Sequence, residues 1–120
     1  MGLKKYEDLI VWQKAMDLVV EVYKIARLLP KEELYALSNQ LKRAAVSIPS
    51  NIAEGQERNT TKDFARFLSI AKGSKAELET QLLISIRLNY LTQEQIEVAQ
   101  GLLTEIGKML NALIQKLPSN

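Results

Sequence analysis

The chain of 120 residues contains neither cysteine nor histidine. Without cysteine it cannot form a disulfide or use a thiolate nucleophile, and without histidine it lacks the commonest general base of enzymes. The usual zinc sites, and the Glu-x-x-His di-metal sites of helical bundles, are excluded for the same reason. We therefore expect a protein that is not an enzyme, with no catalytic residue, no cofactor and no bound metal. The lack of cysteine also fits a reducing compartment, so we expect a cytoplasmic location.

Two further absences narrow the class. Charged residues stand near the N-terminus where a signal peptide would be apolar, and no apolar run is long enough to cross a bilayer. We therefore expect no membrane partner. The net charge of +2 is too small to indicate a nucleic-acid-binding protein by itself, but the 47% of apolar residues can build a core. We expect a single domain over residues 1–120.

Four amphipathic segments account for most of the chain, because apolar residues recur at steps of three and four. Pro30 separates the first segment from the second, and Thr60 or Thr61 can cap the third. Thr92 and Gln95 are spaced as a capping box for the fourth. The predicted helices cover residues 7–29, 31–57, 61–88 and 93–117. Their short connections predict an all-α fold, an antiparallel up-down-up-down four-helix bundle.

The first helix is apolar over most of its circumference. One face of it carries, at alternating steps of three and four, the residues Leu9, Trp12, Met16, Val19, Tyr23 and Ala26. Other apolar residues lie outside that face, namely Ile10, Val11, Leu18, Val20, Val22 and Ile25. A helix buried on one side only would then expose a large apolar patch. Either this helix is central in the monomer or it contacts another subunit, and we favour a homo-oligomer.

The segment RAAVSIPSNIAEGQER, residues 43–58, keeps its apolar period although a proline lies inside it. Pro49 has no N–H to donate to the carbonyl of Ala45, and its ring displaces that carbonyl. We therefore predict a proline-kinked second helix rather than an interruption. Ser47 could relieve the strain by bonding back to the carbonyl of Arg43.

Small residues on the second and third helices predict that these two helices pack closely. Antiparallel pairing predicts three neighbouring pairs: Ala44 with Ser74, Arg43 with Glu77, and Gln40 with Gln81. We expect a partly buried Arg43–Glu77 ion pair, the loss of which strands a charge. We interpret the polar residues here as a structural network, formed by Arg43, Ser47, Asn51, Glu54, Ser74 and Glu77. A ligand or catalytic pocket is the alternative, but Glu54 has no partner for acid–base chemistry.

Basic residues concentrate around the turn between the second and third helices. Between positions 40 and 75 there are seven basic and three acidic residues. The candidates for nucleic-acid binding are Lys42, Arg58, Lys62, Arg66, Lys72 and Lys75. Repetition in a symmetric oligomer would strengthen the attraction of this surface for phosphates. A solvated helix face is the alternative, and Phe64 and Phe67 fit the core better than a base-stacking platform.

Four blocks of sequence resemble a known family. The blocks are VWQKAMDLV, LPKEELYALSNQLKRAAVSIPSNIAEG, FARFLSIAKGSKAELETQL and EIGKMLNALI. Together they resemble the four-helix bundle proteins encoded by intervening sequences of bacterial 23S ribosomal RNA genes. The accessory variability proteins of diversity-generating retroelements look like relatives of that family. The resemblance implies a homopentamer of four-helix bundles with basic surfaces for RNA or DNA.

These observations predict a non-enzymatic homo-oligomer, pentameric by the resemblance, that binds structured RNA or duplex nucleic acid through repeated basic patches. The alternative is an oligomeric adaptor or scaffold that binds a protein partner and no nucleic acid. Salt discriminates between them, because phosphate binding weakens steeply as the salt concentration rises.

Overall fold

The computed structural model describes residues 5–118, which form four α-helices and two short 3-10 helices. The α-helices are α1 (Ile10–Ala26), α2 (Leu37–Gln56), α3 (Thr61–Arg87) and α4 (Gln93–Lys116). Each helix packs against the next one in the chain, and α4 returns to pack against α1. No strand occurs within residues 5–118. The predicted all-α four-helix fold is therefore confirmed.

α1 is shorter than the sequence predicts at both ends. The chain first forms a 3-10 helix, Tyr6–Asp8, and Leu9 is extended, so α1 begins at Ile10. At the other end, the N–H groups of Leu28 and Leu29 donate to carbonyls three residues back. This tighter bonding ends the α-helix at Ala26 and turns the chain toward Pro30.

The second predicted helix, residues 31–57, is divided in two. Lys31–Glu33 form a 3-10 helix, and Ala36 is non-helical with φ −123° and ψ −102°, so α2 begins at Leu37. The carboxylate of Glu33 accepts a hydrogen bond from the backbone N–H of Leu37 at 3.2 Å. Glu33 also accepts from the hydroxyl of Tyr90 at 2.9 Å, and this bond raises the pKa of Tyr90 above its ordinary value. Glu33 thus fixes the α1–α2 connection against the α3–α4 turn.

The predicted caps of the last two helices are present. Thr60 accepts a hydrogen bond from the backbone N–H of Asp63 at 3.1 Å at the start of α3. Thr92 and Gln95 exchange reciprocal side-chain to backbone hydrogen bonds at the start of α4. These bonds satisfy N–H groups that have no partner within the helix, so the helices begin where the sequence predicts.

One of the two apolar faces of α1 is buried in the core, and the other is buried only in part. The buried residues of α1 are Val11, Ala15, Leu18, Val22, Ile25 and Ala26. On the adjacent face, Leu9, Trp12 and Val19 pack against the core and are partly buried, whereas Met16 and Tyr23 are 43% and 38% exposed. Steps of three and four fit both faces, so the apolar period alone does not show which of them is buried. The monomer buries the face that carries the small Ala15.

α2 runs without a break through Pro49, as the continuing apolar period predicts. Side chains add hydrogen bonds on both sides of the proline. The hydroxyl of Ser50 donates to the carbonyl of Val46 at 2.8 Å, and the amide of Asn51 donates to the carbonyl of Ser47 at 2.8 Å. These bonds add a second donor to the two carbonyls that follow that of Ala45, which lacks its helical donor because Pro49 has no N–H.

Small residues bring α2 and α3 together. Ala44 borders the same groove as Glu77 of α3, and the hydroxyl oxygens of Ser47 and Ser74 lie 2.7 Å apart. Near the turn, a Cβ atom on Gly55 would lie 2.7 Å from the Cβ of Phe67 and 3.0 Å from the ring of Phe64. Only glycine fits that approach without movement of the neighbouring helix. The tight α2–α3 contact positions both the basic residues of the turn and the polar residues beside Ser74.

Candidate nucleic-acid interface

The turn between α2 and α3 presents two arginines that share one aromatic ring. The guanidinium carbons of Arg58 and Arg66 each lie 4.7 Å from the ring centroid of Phe67, which is itself 7% exposed. Cation–π attraction to a buried ring limits the movement of both side chains. Arg58 also pairs with Glu54 at 2.8 Å, and Arg66 pairs with Asp63 at 3.8 Å. Such exposed pairs are weak and screened by salt, so a phosphate can compete for both arginines.

Lys62 lies beside the arginines. It is exposed, and it precedes Arg66 by four residues, which places the two side chains on one side of α3. Within residues 5–118, Lys62 has neither a hydrogen bond nor an ion pair. Arg58, Lys62 and Arg66 are called the turn cluster below. Lys72 is also exposed and unpaired in that range, but it lies farther along α3.

The other two basic candidates lie on different faces of the bundle. The ammonium of Lys42 is 5.3 Å from the ring centroid of Tyr23, between α1 and α2. Lys75 pairs with Glu79 at 2.9 Å and packs over Gly107 of α4, with its side chain 21% exposed. The six candidates therefore do not form a single surface. They were chosen by the density of basic residues along the sequence, and that density does not show on which side of a helix each residue lies.

Three of the six residues of the predicted polar network come together. The hydroxyl oxygens of Ser47 and Ser74 are 2.7 Å apart, and the amide of Asn51 donates to the Ser47 hydroxyl at 2.9 Å. Ser74 thus faces Ser47, one helical turn from the predicted neighbour, Ala44. Ser47 does not bond back to the carbonyl of Arg43, because its hydroxyl is engaged across the contact with α3.

The remaining three residues of the network stand apart from the serines. Glu54 lies on the surface and binds Arg58. The predicted Arg43–Glu77 ion pair is not formed, although both residues line the same groove. Both side chains are exposed, and at a solvated surface the attraction of opposite charges barely offsets the entropy of fixing two long side chains. The expectation of a partly buried pair was therefore wrong.

That groove runs between α2 and α3 and has a volume of about 480 Å³. It is lined by Gln40, Arg43, Ala44, Ser47, Glu77 and Gln81. Gln81 is buried, at 8% exposed, and its Oε1 atom has no hydrogen-bond partner. Gln40 and Gln81 are thus neighbours, as predicted. The spacing of the two residues in the sequence did not predict that the amide oxygen of Gln81 lacks a hydrogen-bond donor.

A second exposed surface is apolar. Met16, Val20 and Tyr23 share one side of α1 and are 43%, 58% and 38% exposed. Val46 of α2, 40% exposed, lies in the same shallow groove as Tyr23. These four residues, three of α1 and one of α2, form one apolar patch, which is called the outer face of α1 below. Since α1 packs only against α2 and α4 among the other α-helices, it is not a central helix within the monomer.

Within residues 5–118 we find neither a cluster of metal ligands nor a membrane-spanning helix. No three acidic side chains in that range come close enough to hold a metal ion. No helix in it is both long and apolar enough to span a membrane.

Comparison with known proteins identifies a family and similar solved structures. The family model described as "23S rRNA-intervening sequence protein" matches residues 7–112. A solved structure is similar to the whole fold: a protein with unknown function from the S23 ribosomal protein family of Bacteroides thetaiotaomicron VPI-5482. It is 30% identical in sequence, has a TM-score of 0.82, and the alignment covers 89% of this chain and 100% of that one. No curated protein matches the chain. The relation to retroelement accessory proteins stays a prediction.

Proposed function

The chain belongs to the family of 23S rRNA-intervening sequence proteins, and from that premise we propose that it binds structured RNA or duplex nucleic acid as a non-catalytic homo-oligomer. The turn cluster carries this proposal. Its three cations lie at one end of the bundle, and the ring of Phe67 restrains two of them. Guanidinium groups match phosphate oxygens in geometry, and side chains that are already restrained lose less entropy on binding.

Self-association supports the same proposal. The outer face of α1 combines four exposed apolar side chains, and contiguous patches of this kind commonly mark protein interfaces. An oligomer would cover this face and repeat the turn cluster once per subunit. Repetition raises the effective affinity for a polyphosphate without any new contact in the monomer. The number of five subunits comes from the resemblance to the family.

Binding is tested by fluorescence anisotropy with a labelled structured RNA and a labelled DNA duplex at about 50 and 200 mM salt. We expect affinity to fall steeply between the two salt concentrations. The double variant Lys62→Glu, Arg66→Glu should weaken binding at least about tenfold and reduce the salt slope by about 0.9 for each phosphate that the protein no longer neutralises. Lys31→Glu, Arg87→Glu makes the same change in charge at the opposite end of the bundle, so it is the matched control and should retain binding. Equal losses in the two double variants would contradict the role of the turn cluster.

Assembly is tested by light scattering. Val20→Glu places a charge on the outer face of α1 and should dissociate the oligomer, because an interface does not tolerate an unpaired buried charge. Val98 of α4 is similarly exposed, at 61% against 58% for Val20, so Val98→Glu is the matched control. Dissociation by Val98→Glu alone would move the interface to α4, and a monomeric parent protein would refute the oligomer.

The second candidate function is an adaptor that binds a protein and no nucleic acid. The acidic partners of Arg58 and Arg66 favour it, because they neutralise part of the turn cluster. An absence of RNA and DNA binding at the lower salt concentration, together with an intact oligomer, would select this function.

A further inference from the structure

Two arginines of the turn cluster are held close together by one aromatic ring. Arg58 belongs to the α2–α3 turn, and Arg66 lies in the second turn of α3. The guanidinium carbon of each is 4.7 Å from the ring centroid of Phe67, so the two groups are no farther apart than twice that distance. Phosphates succeed one another every 3.4 Å or so, roughly, along the axis on each strand of B-DNA. Two guanidinium groups at this separation therefore suit successive phosphates of one strand.

The shared ring is held by close packing against α2. Phe67 is 7% exposed, and its Cβ would lie 2.7 Å from a Cβ on Gly55. The carbonyl of Gly55 also accepts a hydrogen bond from the backbone N–H of Arg58 at 3.1 Å. A side chain enclosed in this way moves little, because protein interiors are close-packed. The ring is thus a rigid support with a fixed relation to the backbone of Arg58.

Both arginines keep donors for a ligand. The side chain of Arg58 is 42% exposed and that of Arg66 is 58% exposed, although each lies over the ring. A guanidinium has five N–H donors in one plane. Within residues 5–118, the ion pairs with Glu54 and Asp63 engage the Nη2 atom of each arginine. The other donors can bind phosphate oxygens.

We propose that Phe67 is a positioning residue for nucleic-acid binding, because its ring holds Arg58 and Arg66 as a pair that grips the phosphate backbone of one strand. The inference rests on the proposed function for its ligand. It differs from attraction by net charge, since Phe67 has no charge and is buried beneath the groups that meet the ligand. Arginines without the ring would lose more side-chain entropy on binding, so the affinity depends on the ring.

Phe67→Leu removes the ring and keeps an apolar side chain in the core. In the anisotropy assay with the labelled structured RNA and DNA duplex, its affinity should fall at least about fivefold, because two long side chains must then be ordered on binding. The slope of affinity against salt should stay that of the parent, because every basic residue is retained. Phe67→Tyr brings back an aromatic ring and should restore the affinity.

Phe64→Leu is the matched control. The ring of Phe64 lies 3.0 Å from the position that a Cβ on Gly55 would take, but no cation stacks on it in the described part of the chain. This variant loses the same phenyl group from the same helix contact. It should bind as the parent does.

NMR of the parent protein tests the support without any change in the core. The ring current of Phe67 should shift the Cδ protons of Arg58 and Arg66 upfield in the free protein, and the shift should persist in the RNA complex. Loss of the shift on binding would overturn the inference, because the arginines would then leave the ring to meet the phosphates.

The outcomes separate this inference from the proposed function. Full affinity in Phe67→Leu, together with weak binding by Lys62→Glu, Arg66→Glu, overturns the positioning role and leaves the turn cluster in place. Equal losses in Phe67→Leu and Phe64→Leu, or no recovery in Phe67→Tyr, overturn it as well, because the ring would then serve only the core. Full affinity in Lys62→Glu, Arg66→Glu refutes binding through the turn cluster itself.

Discussion

At the contact between α2 and α3 the facing side chains are small and buried, whereas on the outer face of α1 they are large and exposed. Gly55 lies so close to Phe67 that a Cβ atom would not fit, and Ser47 and Ser74 share a hydrogen bond where the helices meet. The outer face of α1 has apolar side chains of core size that remain 38–58% exposed. The first surface is completed inside the monomer, and the second has the composition of a surface completed by another chain.

The comparison also shows how side-chain size carries information that periodicity does not. Both faces of α1 repeat at steps of three and four. The monomer buries the face with Ala15 and Leu18, and it leaves Met16 and Val20 exposed. A small residue within an apolar stripe therefore indicates the closer contact, as it does between α2 and α3.

Truncation of the two faces of α1 should give the largest contrast. Leu18 is fully buried, so Leu18→Ala should lower the free energy of unfolding by about 2–5 kcal/mol. Met16→Ala, on the outer face, should lower it by less than about 1 kcal/mol. Both changes are made in a chain that carries Val20→Glu, so that association does not contribute, and are measured by urea unfolding. A larger loss for Met16→Ala would mean that the core buries the face of α1 that carries Met16.

The glycines of α2 and α3 test the closeness of their contact. Gly55→Ala should destabilise the protein by about 1–3 kcal/mol, because the new Cβ would lie 2.7 Å from the Cβ of Phe67, which is held by the backbone of α3. Gly73 lies in α3 with open space around it, so Gly73→Ala should instead stabilise by about 0.5–1 kcal/mol. Thermal unfolding of the two variants measures the difference. Stabilisation by Gly55→Ala would mean that the helices lie farther apart than described.

Local signals predicted the helices well. Thr60 and Thr92 mark helix starts that depend only on nearby backbone groups, and both caps form as expected. The helix before Pro30, however, ends at Ala26, three residues earlier than predicted. In addition, α2 begins six residues beyond the predicted start at position 31, because the carboxylate of Glu33 accepts from the N–H of Leu37 and the hydroxyl of distant Tyr90. A cap that depends on a residue 57 positions away is not readable from local sequence.

The candidate sites were predictable only in part, for a related reason. The antiparallel register brought Arg43 near Glu77 and Gln40 near Gln81, and all four line one groove. Whether two neighbouring charges pair depends on solvent exposure, which register does not determine. The stacking of two arginines on Phe67 was also missed. Its signal was present, since a core phenylalanine stands next to Arg66 and near a turn that contains Arg58.

The hydroxyl pair at the α2–α3 contact should contribute less than the packing around it. Ser74→Ala removes the bond to Ser47 and should lower stability by about 1 kcal/mol, because the Ser47 hydroxyl keeps its bond from Asn51. Ser50→Ala is the control, since that hydroxyl is exposed and bonds only within α2. A double-mutant cycle with Ser47→Ala isolates the coupling between the two serines, and a coupling of zero would show that the hydroxyls do not interact.

The smallest effect is expected at the rim of the same contact. Glu77→Gln should change the free energy of unfolding by no more than about 0.5 kcal/mol, because no ion pair with Arg43 is formed. Glu79→Gln breaks the half-buried pair with Lys75 and should cost up to about 1 kcal/mol, which provides a reference on the same helix. A clear drop in melting temperature for Glu77→Gln would mean that Arg43 and Glu77 pair in solution.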